Sequence, residues 1–213
     1  LPNSIKTNEN WGWIGARTEL FLRGADASCR LYTWDGLAIL FRGYARFRGS
    51  SNPLDLDKII EELRWHYLEQ GDLNVDDLDG SFTIALCDSQ AERILLYRNL
   101  IGTGFTYYFG GSDGLLFSSN LAELTRFTHV SLAANQGILP SYFLFRCVPG
   151  HKTLFQDFYR LLPGEDIIWD EDGFKRRQRH TFAHLYTNPS KPADYVHQIE
   201  TTLASVLTDI NNH

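Results

Sequence analysis

The chain of 213 residues has no methionine, only three cysteines, and no long apolar run. Cys29, Cys87 and Cys147 are odd in number, widely spaced and without a C-x-x-C pair, which argues against a disulfide framework and against a zinc site. All three are expected to be reduced. The longest apolar stretches fall short of the roughly 18 residues a membrane helix needs, and the opening LPNSIKTNEN is polar. Neither a membrane span nor a secretory signal is therefore expected, and the compartment is read as cytoplasm. Average usage would give a few methionines. Their absence points to a trimmed start, or to modified methionines omitted from the sequence, in which case the numbering hides small deletions. Concentrated positive charge is also lacking: 20 Lys and Arg stand against 26 Asp and Glu. The one basic cluster, Lys175, Arg176, Arg177 and Arg179, reads as a solvated strand end, so no nucleic-acid partner is expected. The seven histidines include one H-x-x-x-H spacing, His180 and His184, but no Cys/His spacing; they are read as ordinary surface or packing histidines, and no metal site is assigned.

What is present describes a packed globular domain. Apolar residues make up 43% and aromatics 14%, enough to bury a sizeable core at this length. GLAILFRGYARF (36–47) is rich in β-formers and apolar through its first half, a strand buried on both faces. After the loop at Ser50–Pro53, Asp55 or Asp57 can cap a helix in which Ile59, Ile60, Leu63 and Tyr67 recur at helical spacing up to Gly71. From Gly80 the composition turns to strands: SFTIALCD, RILLYRN, FTYYFGG and LLFSSN, an expected antiparallel meander of about four. LAELTRF predicts a short helix and 132–145 another. EDIIWDEDGFKRRQ predicts a hairpin turning at Asp172-Gly173. At the end, Tyr195, Ile199, Leu203, Val206, Leu207 and Ile210 form the stripe of an amphipathic helix that needs a covering partner. The elements up to about Phe127 predict an α+β layered domain.

Within LDGSFTIALCDSQAERILLYRNLIGTGFTYY (78–108), Asp79, Gly80, Phe82, Asp88, Arg98, Gly102 and Tyr107 fall in register with a pattern of asparagine synthetases, L-D-G-x-F-A … D … R-D-x-x-G-x-x-P-L-Y. LLFSSNLAEL (115–124) stands where that family has F-A-S-E-x-K-A-L. The departures include Asn99 for Asp, Phe105 for Pro and Asn120 for Glu. PGHKTLFQDFYRLLPGE (149–165) resembles the stretch P-G-x-x-T-x-F … L-x-P-G that leads toward the family's synthetase domain. The chain thus resembles the amino-terminal glutaminase-like domain of the asparagine synthetase family.

The resemblance implies an amino-terminal-nucleophile fold, a sandwich of two antiparallel sheets between helix layers. It also implies a chemistry in which a chain-terminal Cys attacks the glutamine amide, with its own α-amino group, of pKa about 8, as the base. The family's opening C-G-I-x-G is best matched by Trp11-Gly12-Trp13-Ile14-Gly15, so Trp11 stands in the nucleophile's place, where its indole would line or fill the pocket. Arg42 replaces the Asn of the family's oxyanion strand and Gly43 keeps its Gly. Asp57, with Asp55 as the alternative, sits where the family holds the substrate's ammonium and carboxylate. Between Trp11 and Arg42 roughly forty residues are missing relative to the family, and only Arg23 is a candidate for its substrate-binding Arg. The remnant glutamine pocket is accordingly Trp11, Arg42, Gly43 and Asp57, with no catalytic residue. Cys87 and Cys29 are better read as small buried hydrophobes than as relocated nucleophiles: Cys87 falls within a strand, and Cys29 in a short polar loop with no His close in sequence. Gly102-Thr103-Gly104 is better read as a turn than as a phosphate loop, since it lacks the Lys and the following helix.

The organisation expected is a glutaminase-like domain without its nucleophile over 1–130, a connector over 131–186, and a linker with the first helix of a truncated synthetase domain over 187–213. The functional expectation is a degenerate glutaminase-like domain of an ATP-dependent amide-forming ligase, similar to those of β-lactam synthetases and lasso-peptide cyclases. The alternative is a non-catalytic module that binds a ligand or a protein. No cofactor is expected in this chain, and ATP and Mg2+ only with the synthetase domain. The expected partner is that domain or a split partner chain, with homo-oligomers left open.

Overall fold

The computed structural model describes residues 4–7, 10–14, 19–23, 29–48, 56–102, 104–111, 114–127, 132–183 and 192–211, the first three stretches as backbone. In chain order these form β1 (Ser4–Thr7), β2 (Asn10–Ile14), β3 (Glu19–Arg23), β4 (Cys29–Thr33), β5 (Leu37–Phe47), α1 (Leu56–Gln70), β6 (Leu78–Asp88), β7 (Arg93–Arg98), β8 (Tyr107–Gly111) and β9 (Gly114–Ser118). There follow α2 (Leu121–Phe127), a 3-10 turn at Gln136–Ile138, α3 (Leu139–Phe145), β10 (Phe158–Arg160), β11 (Glu165–Asp170), β12 (Gly173–Gln178) and α4 (Pro192–Asn211). Three sheets result, ordered β1-β2-β3, β10-β8-β9 and β12-β11-β7-β6-β5-β4. The fold is α+β with antiparallel pairing, as expected.

Two features differ from the sequence expectation. The four-stranded meander is divided: β6 and β7 lie in the six-stranded sheet, while β8 and β9 pair in the three-stranded one. Gly102 and Gly104 stand in the connection between β7 and β8 where the chain changes sheet. Residues 158–178, within the segment read as a connector, supply β10 to one sheet and β11 and β12 to the other.

The chain divides into two compact units, Leu1–Gly43 with Ser81–His180, and Tyr44–Gly80 with Thr181–His213. In the first, period-two alternation sorts the strands into faces. Ala38, Ala85, Cys87, Leu96 and Ile167 of the six-stranded sheet meet Tyr108 and Leu115 of the three-stranded sheet, with Leu161, in one buried cluster. Two sheets packed face to face thus form this unit's core. Tyr108 extends it by stacking on Tyr159 and Phe174, with ring centroids 5.5 and 5.8 Å apart. On the other face of the large sheet Phe82 packs between Phe41 and Tyr97, at 5.7 and 6.0 Å.

In the second unit α1 buries Ile59, Ile60, Leu63 and Tyr67, the four positions its periodicity singled out. It ends at Gly71, whose φ of 70° suits a left-handed C-terminal cap and whose N–H donates to the Tyr67 carbonyl at 2.8 Å. Asp55, one of the two candidate caps, lies outside the described residues. On α4 Tyr195, Ile199, Leu203 and Leu207 are exposed. Among the described residues no helix is long and apolar enough to cross a membrane.

Candidate functional site

The face of β5 and β6 that forms the inter-sheet core changes character toward one end. Along β5 it runs Ala38, Leu40, Arg42; along β6 it runs Cys87, Ala85, Thr83, Ser81. Apolar side chains give way to a guanidinium and two hydroxyls. There a cavity opens, lined by Arg42, Gly43, Ser81, Phe82, Thr83, Gly102 and Gly104, with about 350 Å³ of empty space continuous with solvent.

Glycines make the walls. At Gly43 φ is 111°, and a Cβ would collide with the Ser81 carbonyl, so β5 and β6 touch backbone to backbone at this point. At Gly104 a Cβ would come within 3.1 Å of Arg42 Nη1, which places the guanidinium directly under this loop. Gly102 is held from behind: its carbonyl accepts from Arg98 Nη2 at 2.6 Å, and its N–H donates to the Asn99 carbonyl at 3.1 Å. Arg98 also donates from Nη1 to the Leu161 carbonyl at 2.8 Å and lies 5.9 Å from the centroid of Phe105. Burial, then the neighbouring charge of Arg160, pushes its pKa below the usual arginine value. Asn99 Oδ1 accepts from the Phe82 N–H at 3.3 Å, while the Asn99 N–H donates to the Phe82 carbonyl at 3.0 Å. The loop that walls the cavity is thereby tied to β6 and to the segment before β11.

Most residues of the 78–108 pattern thus carry architecture. Phe82 is core, Asp88 caps the β6–β7 turn by accepting from the N–H groups of Gln90 and Ala91 at 2.8 and 2.9 Å, and Arg98 with Gly102 sets the loop.

Of the predicted pocket residues, the structure brings Arg42 and Gly43 together on the cavity wall. Trp11 lies on β2, its Cα paired with Leu22, and its side chain is outside the described residues. Asp57 stands exposed in the first turn of α1, in the second unit. Arg23 ends β3, again described as backbone only. Ser81 and Thr83 were not singled out from sequence; the signal was present in their two-residue spacing on the face that farther along bears Ala85 and Cys87.

Cys29 does not lie in a loop: it opens β4, half-buried, with its Cα paired to Arg42. Strand pairing puts the two side chains on one face. Cys87 is fully buried and burial pushes its thiol up to about 12, so it is an inert core residue at neutral pH. Cys147 is exposed. Among the described residues no group of three or more His, Cys, Asp or Glu could hold a metal ion.

The family model of the glutamine amidotransferase domain matches residues 57–181, more than half of the chain. The chain belongs to this family. No curated protein matches it. Among solved structures, the allosteric regulatory enzyme of purine biosynthesis is similar at 10% identity and a TM-score of 0.37. Glutamine phosphoribosylpyrophosphate amidotransferase from B. subtilis, complexed with ADP and GMP, is similar at 9% identity and a TM-score of 0.35. Each comparison covers 71% of this chain, which spans 31% of the length of either protein. Within this glutamine amidotransferase domain, the matched region includes β6 to β12 and the Gly102 loop, whereas Arg42 and Gly43 precede it.

Proposed function

We propose that this glutamine amidotransferase domain does not hydrolyse glutamine and serves an asparagine-synthetase-like, ATP-dependent amide-forming ligase. The observation that carries the reading is the lack of a thiol or a base among the described residues that line its cavity. Arg42, the Gly43 backbone, Ser81 and Thr83 offer hydrogen-bond donors and hydroxyls, and among the described residues the lining has no thiol and no His, Asp or Glu to act as base. A hydroxyl without a base is a poor nucleophile at neutral pH. Cys29 faces Arg42, yet its α-nitrogen is in a peptide bond and cannot take the role that the family assigns to a chain-terminal amine. In this reading Arg42 and Gly43 are what remains of the glutamine pocket.

The ligase assignment is supported by the 149–165 match to the asparagine synthetase pattern, and the chemistry it needs, with ATP and Mg2+, belongs to a synthetase domain or partner chain. The test is to express the natural gene product with its neighbouring reading frames and measure ATP–pyrophosphate exchange across candidate carboxylic acids. Exchange supports the ligase. Its absence, together with no ATP-loop motif in the product or its neighbours, leaves a ligand-binding module, the second reading, which the open cavity favours.

A further inference from the structure

We infer that His66 and Asn74 form a pH-operated latch: the neutral imidazole, its proton on Nδ1, fixes the amide that closes a turn at Asp76, and protonation of the ring reverses that amide. The device lies within the second unit and does not depend on the ligase reading. His66 stands near the end of α1, and Asn74 in the loop 71–77 that leads into β6. Two bonds set the Asn74 amide. Its Oδ1 accepts from the Asp76 N–H at 3.3 Å, an Asx turn, which leaves Nδ2 facing His66 Nε2, also at 3.3 Å. An amide nitrogen only donates, so Nε2 carries the lone pair and the neutral ring has its proton on Nδ1. Nδ1 is buried and has no hydrogen-bond partner. The tautomer is therefore selected by Asn74 alone, while Trp65 meets the ring edge-on, with centroids 4.9 Å apart.

A protonated imidazole donates from both nitrogens. Its Nε2–H would confront the Nδ2 donors, so the amide turns over to present Oδ1, and the Asp76 N–H loses its acceptor. The link between α1 and the loop is kept with its roles reversed, and the turn at Asp76 opens. Leu73 and Val75, on either side of Asn74, are buried and hold the loop in place, which confines the change to the turn itself. The surroundings admit the charged ring. Glu62, one turn back on α1, and Asp77 of the loop line the same pocket, about 220 Å³ of empty space continuous with solvent, and β5 presents Phe47 to it. Of the adjoining cations, Arg64 pairs with Glu61 at 3.1 Å and Arg48 with Asp79 at 3.4 Å.

The test is NMR of the whole chain between about pH 8 and about pH 5, the range in which an imidazole changes charge. At the upper end the ring nitrogen shifts should show His66 as the Nδ1–H tautomer. On acidification the Asp76 N–H and the Asn74 side-chain N–H signals should move with the same midpoint as the His66 ring. Both responses should vanish in His66→Phe. In Asn74→Asp, whose two oxygens can accept from both neighbours, the Asp76 N–H should stay bonded throughout while His66 still titrates. The tautomer is read on the parent chain, so the test does not depend on either variant folding. An Nε2–H tautomer at the upper end, an Asp76 N–H that does not follow the ring, or one that still follows this midpoint in His66→Phe or Asn74→Asp overturns the inference.

Discussion

Arg42 and Gly43 are neighbours on β5 under different constraints. Gly43 is fixed by backbone: with φ at 111° and the Ser81 carbonyl where a Cβ would go, any side chain must part β5 from β6. Gly43→Ala should cost about 2–4 kcal/mol, lowering the melting temperature by roughly 5–15 °C in calorimetry; a variant melting with the parent would refute the close approach. Arg42 has a φ/ψ any residue can adopt, and its side chain lines the cavity under Gly104. Cys87 gives a pH-dependent prediction. Its thiol is raised from 9.0 to about 12, so between these values the folded chain keeps a proton that the unfolded chain has released. Stability is then unaffected below pH 9 and falls as pH rises toward 12, by up to about 1.4 kcal/mol per pH unit. Denaturant midpoints across this range should fall less steeply in Cys87→Ala; equal slopes would show that the thiol is not buried. At this scale the sequence made Arg42 and Gly43 legible through a motif. Ser81 and Thr83 were not, because a strand pattern shows alternation without showing where the apolar face ends and a cavity begins.

Among the elements, β12 shows how a basic run is used. Arg177 donates from Nε and Nη2 to Asp166 of β11 at 3.0 and 2.6 Å, and Arg179 donates from Nε to the same carboxylate at 2.8 Å. The Asp166 side chain is 3% exposed. Lys175 reaches Asp172 at 2.9 Å on the surface. Asp166→Ala should therefore cost about 2 kcal/mol in urea denaturation, from lost charge-assisted bonds and two cations left without their shared acceptor, whereas Lys175→Ala, which removes only a solvated pair, should leave the urea midpoint close to the parent's. Equal effects would contradict the assignment of the run to sheet-edge pairing. The hairpin turning at Asp172-Gly173, the buried face of α1 and the presence of α4 were readable because turn chemistry and helical periodicity are local. The division of the meander was not, since which sheet a strand joins is decided by tertiary packing. β10, of three residues, is too short to leave a pattern.

Across the whole molecule, the family match and the sheet core account for a scaffold, and the cavity accounts for what that scaffold can do. Each unit also leaves apolar side chains outside. Phe143, Leu144 and Phe145 of α3 are 76%, 74% and 60% exposed, and α4 exposes Tyr195, Ile199, Leu203 and Leu207. Surfaces of this kind accompany proteins that work against a partner, which the proposed ligase role requires. The central claim, that the scaffold has parted from glutamine hydrolysis, is tested most directly by incubating the purified chain with glutamine and with a thiol-reactive glutamine analogue, following ammonia and intact mass. The account predicts no ammonia above the protein-free control and no adduct on Cys29, Cys87 or Cys147. Ammonia release that saturates with glutamine, or an adduct on Cys29 opposite Arg42, would contradict it.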